Sequence, residues 1–441
     1  MMHRVRVAPD HRHFLRDEKL FFLMADTAWS AFTNPTLEEW EEYLALRKKQ
    51  GFNTLLINVL PQWDRGLAKG ERACPWVTED DVEWRLADIP ESYFDHACRV
   101  LDKMMEYDMT PVLVLLWGNY TNGTFFDTLW GHSPIARDGV EEYVTYVARR
   151  FAGYAPLYFV SGDTTFTDQS VDDYYRPALH ALKAADPEAL ASLHICGDDA
   201  NTPEVIERCI PQRLLYDELL DFYTYQSGHF DHLERRCRDC AKAFAGIRVK
   251  KPIFNAEPCY EGWDTPTGAH GRREMRRAAY ISILSGASAG LGHGVQGVWQ
   301  WYRPGDFFAP THETKKRPLY HTSEPFSIRD ALELPGSEDR SFAAQLVEKH
   351  GLYAMEPVEA FDSDYPDVYM AETPDQRGFM LYLPRNQKVL VKLDPDAYDL
   401  TEYLLKERVT VPVFLTPVEE GFVLEAVGKN SDFVLVGEKK E

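Results

Sequence analysis

The sequence predicts an α/β protein: a (β/α)8 TIM barrel over residues 1–350 carrying a small all-β sandwich domain over residues 351–441. Three observations carry this expectation. Short apolar runs alternate with helix-patterned segments eight times within roughly 320 residues, the repeat of a TIM barrel with enlarged loops. Polar residues cluster where the apolar runs stop. From about Leu352 the alternation ends, and strand-like runs follow at spacings of about 8–12 residues with turn residues between them.

The first apolar run, residues 20–25, reads as a strand leading into Asp26-Thr27-Ala28-Trp29. A helix follows, opened by a capping box of Thr36 with Glu39 and closed by Gly51. The second strand spans 52–60 and stops near Gln62 and Trp63. A loop over 64–90, with Trp76 and Trp84, is expected to cover one end of the sheet. A helix over 93–107 precedes a third strand at 110–116, which ends in Trp117-Gly118-Asn119. The next helix, 139–151, feeds a fourth strand at 156–160 that stops at Ser161-Gly162-Asp163. Helix 171–185 feeds a fifth at 190–195, ending in Cys196-Gly197-Asp198. The fifth unit is the weakest, because residues 203–219 make a poor helix. The sixth strand lies at 221–226, a helix at 229–245, and the seventh strand at 252–255. Helix 272–285 leads to a short, Gly-rich eighth strand within 287–293. The later runs, at 379–383, 389–393, 411–415, 421–424 and 433–436, carry no catalytic constellation.

Of the 441 residues, 44% are hydrophobic and 13% aromatic, enough for a large core. A formal net charge of −22 repels polyanions, so neither nucleic acid nor anionic membrane is expected as a partner. No stretch approaches the roughly 20 apolar residues of a membrane helix. The basic N-terminus, MMHRVRVAPDHRHFLRD, lacks the apolar core of a secretory signal, so a cytoplasmic location is expected. Seven cysteines, an odd number, suit a reducing compartment. Cys237 and Cys240 form a lone CxxC in a charged helical stretch, with no second pair at zinc-finger spacing, and are incidental. No metal or cofactor is expected. Asn122-Gly123-Thr124 matches a glycosylation sequon, which has no role inside the cytoplasm.

The chemistry lies at the strand ends, where a TIM barrel keeps its catalytic residues. The seventh strand stops abruptly in Asn255-Ala256-Glu257-Pro258, since Pro258 cannot continue a central ladder. A carboxylate on that rigid tip suits an acid, base or nucleophile, although a lone Glu there is more often a cap or an ion-pair partner. A second carboxylate in the same kind of place, Asp163, shifts the balance. Around this pair the strand ends offer Asp26, Trp29, Asn58, Gln62, Trp117, Asn119, Asp198, Gln226, Asn255, Glu261, His293, Trp299 and Trp301. Two carboxylates that flank a scissile bond, amides that grip hydroxyls and indoles that stack on sugar faces are the equipment of a glycosidase. Alternation from Asn255 to Glu257 is expected to point both side chains into the barrel.

ADTAW after the first strand, QGFN closing the first helix, VSGD, NAEPCYEG and SGASAGLGHGVQGVWQW together resemble the apiosidase-like glycoside hydrolases, over roughly residues 10–350. The resemblance implies a TIM barrel with a C-terminal β domain and a retaining pair. Asp163 would be the acid/base on the fourth strand and Glu257 the nucleophile on the seventh. Asp163 stands where related barrels mostly carry Glu, and the Gly162 turn is expected to bring the shorter side chain closer. The resemblance does not fix the substrate; the lack of a signal stretch makes a small imported oligosaccharide or glycoside the expectation, furanosides such as apiosides included.

Two other classes compete. A metal-dependent barrel hydrolase or isomerase would use His194, Asp198, His229, His232 and His293, but no first-strand His-x-His supports it. A non-catalytic sugar-binding protein would keep the tryptophans and amides and need neither carboxylate.

Overall fold

The computed structural model describes residues 3–61, 81–129, 131–166, 169–196, 202–306, 311–313, 318–321, 324–424 and 431–440. Gln62, Trp63, Trp76 and Asp198 lie outside these residues.

Eight parallel strands form the barrel sheet: β1 (Leu23–Thr27), β2 (Thr54–Asn58), β3 (Thr110–Trp117), β4 (Leu157–Gly162), β5 (Ala191–Ser192), β6 (Tyr223–Tyr225), β7 (Ile253–Asn255) and β8 (Gly290–His293). The ladder runs β5-β4-β3-β2-β1-β8-β7-β6, so sequence neighbours pair and β1 closes on β8. The seam between β5 and β6 is held by single bonds. Asp221 N–H donates to Ala191 O at 2.9 Å, and the Ser192 hydroxyl donates to Phe222 O at 2.7 Å. The strands are buried on both faces, which is why they read as continuous apolar runs.

The run at 20–25 is divided. Lys19–Phe21 joins Val5–Val7 and Phe14–Arg16 in a three-stranded antiparallel sheet, and only Leu23 onward enters the barrel. Phe14 packs edge-on against Phe222, with 5.3 Å between ring centroids. The first helix, Leu37–Lys49, carries the expected reciprocal capping box of Thr36 and Glu39. The weak fifth unit is two short helices, Pro203–Cys209 and Gln212–Leu215. The helix behind β8 is Gly336–Lys349, which the sequence reading did not anticipate.

The C-terminal strands form a six-stranded and a four-stranded antiparallel sheet. They share a core of Phe379, Leu381, Val391, Phe422, Leu424 and Leu435. The opposite face of the larger sheet lies on the barrel helices Arg272–Leu284 and Gly336–Lys349, where Tyr280 stacks on Tyr382 at 5.2 Å. Buried Asp339 accepts from Arg272, Arg276 and Arg408, and Arg276 also reaches Asp432. Desolvated carboxylates need such partners. Cys237 and Cys240 are both buried on the helix Leu233–Gly246, with the Cys237 thiol 3.3 Å from the Ser227 hydroxyl.

Candidate active site

The carboxyl ends of β4 to β7 bring two acidic side chains into one bowl. Asp163 follows directly on β4. Its φ of 46° lies in the left-handed region, which Asp tolerates at a cost of about 1–2 kcal/mol. Gly162 serves a different purpose from the turn expected of it: a Cβ there would come within 2.3 Å of the Trp117 ring. Gly162 is therefore the floor on which Trp117 lies, and the bend belongs to Asp163 itself.

The Asp163 main-chain N–H donates to His194 Nδ1 at 3.1 Å. Its Oδ1 accepts from Gln226 Nε2 at 2.6 Å, and the same amide nitrogen donates to Ile195 O at 3.0 Å. Gln226, expected to grip a sugar hydroxyl, thus spends both amide hydrogens on protein acceptors. Burial raises the Asp163 carboxyl to about 6, with the Glu257 charge adding to the rise.

Glu257 sits two residues past β7 and is buried. His229 Nε2 lies 3.1 Å from its Oε1, and His194 Nε2 lies 3.3 Å from its Oε2. Burial pushes this carboxyl up, but the hydrogen bonds from His194 and His229 outweigh it and hold the group at about 2. Two neighbouring carboxyls are thereby driven apart, one towards the ionised form and one towards the protonated form.

Rings pack the walls. His194, fully buried, lies against Trp29, Trp117 and Phe159 at 5.7, 5.5 and 5.5 Å. His229 stacks on Trp263 at 4.4 Å and leans on Tyr260 at 4.3 Å. The Trp29 indole N–H donates to the Tyr260 hydroxyl at 3.1 Å. Burial and the nearby Glu257 charge hold the Tyr260 phenol well above its usual value. His194, His229, Tyr260 and Trp263 escaped the sequence reading as partners of the carboxylates. The two histidines were weighed there only as metal ligands, and their strand-end positions were the available signal.

Several expected site residues point elsewhere. Asn255 donates to the Ser227 and Ser282 hydroxyls, the latter on the helix Arg272–Leu284, so it faces the helix layer and not the barrel interior. The ladder stops at Asn255, and the alternation carried on to Glu257 no longer applies. Asp26 is fully buried and accepts from Tyr43 OH and Arg47 Nε, both at 2.6 Å, on the first helix. His293 is buried on the same outer side, kept neutral by burial and by the charges of Arg340 and Arg47. Glu261 turns both oxygens to the Gly336 N–H, at 3.0 and 2.9 Å, on the first residue of the helix Gly336–Lys349. Trp301 packs on Trp40 and Tyr43 of the first helix.

The rest lie nearer the strand ends. Asn119 donates to Gly131 O at 2.9 Å and braces the loop after β3. Asn58 ends β2, buried, its main-chain N–H on Trp29 O. Trp299 is half-buried after β8, its indole N–H on Gln296 Oε1. Of the histidines considered as metal ligands, His194 and His229 meet at Glu257 as its partners, and among the described residues no group of three His, Cys, Asp or Glu is placed to hold a metal ion.

Similarity to known proteins agrees with this fold. The catalytic-domain model of the apiosidase-like family matches residues 8–354. Among solved structures, one described as a glycoside hydrolase superposes with a TM-score of 0.78 at 18% identity, covering 99% of this chain and 97% of its own. A family 5 glycoside hydrolase from Bacteroides vulgatus superposes at 0.75 and 16% identity, covering 99% and 93%. A family 5 mannosidase from Rhizomucor miehei superposes at 0.52 and 15% identity, covering 79% and 99%. At these identities the likeness is one of fold. No curated protein matches the sequence. The family match runs from ahead of β1 to past the helix behind β8, so the chain belongs to the apiosidase-like family and is a glycosidase.

Proposed function

We propose that the protein hydrolyses a small oligosaccharide or glycoside, furanosides such as apiosides included, with retention of configuration through Glu257 and Asp163. The observation that carries this reading is the opposite environment of the two carboxyls. Glu257, held at about 2, is the ionised nucleophile, and Asp163, raised to about 6, holds its proton to a higher pH than an ordinary Asp and can give it up.

In the first step a Glu257 oxygen attacks the anomeric carbon and the bond to the leaving oxygen breaks. The Asp163 proton passes to that oxygen, and the sugar remains as an ester of Glu257. In the second step Asp163, now a carboxylate, takes a proton from water. The hydroxide equivalent displaces Glu257 from the anomeric carbon, and both groups return to their starting states. Gln226 occupies Oδ1 of Asp163 as a donor, so the transferable proton resides on Oδ2. Trp117 and Trp29 supply the aromatic wall, and half-buried Trp299 stands beyond it after β8.

The test is trapping with activated 2-fluoro glycosides, furanosides and pyranosides in parallel, followed by peptide mapping. The expected product carries one sugar on Glu257. A label on another residue, or an inverted product in an NMR time course, would remove the retaining pair.

A further inference from the structure

We propose that His194 and His229 are positioning residues for this reaction: main-chain N–H groups lock both imidazoles into the Nε2–H tautomer, so that two neutral donors clamp the two oxygens of Glu257. The inference rests on Glu257 as nucleophile and adds what holds it.

The tautomers follow from the hydrogen bonds. His194 Nδ1 accepts the N–H of Asp163 at 3.1 Å, and His229 Nδ1 accepts the N–H of Tyr260 at 3.2 Å. A nitrogen whose lone pair takes a main-chain N–H carries no proton of its own. Each ring's proton is therefore on Nε2, the atom that faces Glu257 in both cases, at 3.3 and 3.1 Å. Among the described residues neither His194 Nε2 nor Glu257 Oε2 has a well-aligned hydrogen-bond partner, and the two buried atoms lie 3.3 Å apart; the Tyr260 hydroxyl bonds to Glu257 as well. Neither ring is free to turn. His194 is enclosed by Trp29, Trp117 and Phe159, and His229 lies between Tyr260 and Trp263.

His194 has a second duty. The same ring touches the backbone of the acid and the carboxylate of the nucleophile, so it is a strut between the ends of β4 and β7. It also meets the N–H of Asp163, whose backbone is left-handed. Neutral donors suit the task, because they order the carboxylate without cancelling the charge that makes it nucleophilic.

The two duties separate by substitution. Asn at 194 retains an acceptor near the Nδ1 position and loses the donor to Glu257. Gln at 194 retains a donor near Nε2 and loses the acceptor. His194→Asn and His229→Phe should slow trapping by a 2-fluoro glycoside about 10- to 100-fold, the worth of one hydrogen bond to a charged group. The acid limb of kcat/KM should move up by about one pH unit in both. Their loss should be equal for good and poor leaving groups. His194→Gln should instead lose most on poor leaving groups, because the acid is displaced. A purely structural role would lower Tm and active fraction and leave the limb and the leaving-group dependence in place. Unchanged trapping and an unmoved acid limb in His194→Asn and His229→Phe would overturn the proposal. A measurement that needs no folded variant is 15N NMR of the full chain with labelled histidine. Both rings should show a protonated Nε2 and a pyridine-like Nδ1, and a proton on Nδ1 of either ring would also overturn it. Peptide mapping of the trapped wild-type enzyme keeps the premise separate: a label away from Glu257 defeats the nucleophile assignment whatever the histidines do.

Discussion

Replacing Gln226 by Leu should move the alkaline limb of activity upward while lowering the rate, a combination that tests the acid assignment closely. The Gln226 amide lies 2.6 Å from Asp163 Oδ1 and favours the ionised carboxylate. A hydrogen bond to a charged group contributes about 1.5–3 kcal/mol. Part of that survives when the carboxyl is protonated, because its carbonyl oxygen still accepts, so a shift of about one pH unit is the working magnitude. The sign follows directly. Asp163 must be protonated to act first as acid, so activity falls as pH rises through about 6 in the native enzyme. Without Gln226 the fall should centre about one unit higher. At pH 7 the protonated fraction is about one-tenth in the native protein and about one-half in the variant. Relative to its own plateau, the variant therefore gains about fivefold at that pH. The plateau itself should drop about tenfold, because the Gln226 bond no longer helps to orient Oδ2 towards the leaving oxygen. The assay is kcat/KM from pH 4 to 9 on a phenyl glycoside, with a dinitrophenyl glycoside as the control that needs little protonation. Thermal unfolding checks the fold, since Ile195 O also loses its donor. A limb that stays in place or moves down would refute the argument that Asp163 is the group titrating near 6.

Glu257→Gln keeps the shape and removes the attacking oxyanion, so hydrolysis of every substrate should fall by several orders of magnitude while binding by calorimetry barely changes. Asp163→Asn should spare glycosylation by a dinitrophenyl glycoside and cripple poor leaving groups; azide should restore turnover and give a glycosyl azide of retained configuration, and equal loss on all leaving groups would place the acid elsewhere. Arg47→Met strands the buried Asp26 carboxylate, which accepts from Arg47 at 2.6 Å, and should cost about 3–5 kcal/mol in urea unfolding. Gly162→Ala sets a Cβ 2.3 Å from the rigid Trp117 ring, so kcat should fall at least tenfold with a loss of about 1–3 kcal/mol in stability, read by steady-state kinetics and Tm.

Much of the frame was legible in the chain. Period and punctuation marked the eight strands, because in a parallel sheet covered on both faces each strand must be a short apolar run with polar residues where it meets water. The capping box at Thr36 is local chemistry and needs no neighbours. Motif and strand-end position singled out Asp163 and Glu257. Orientation was not legible, for the same reason that the strands were. When the barrel interior and the helix layer are both dry, apolar alternation no longer says which way a side chain points. So Asp26, Asn255 and His293 stand at strand ends like catalytic residues and yet face helices. Gln226 looked like a sugar ligand until Asp163 and Ile195, 63 and 31 residues away, claimed its amide. The histidines follow the same logic. Nothing in the sequence near His194 or His229 says which ring nitrogen carries the proton. That is decided by main-chain N–H groups of Asp163 and Tyr260, 31 residues from each, which only closure of the barrel brings within reach.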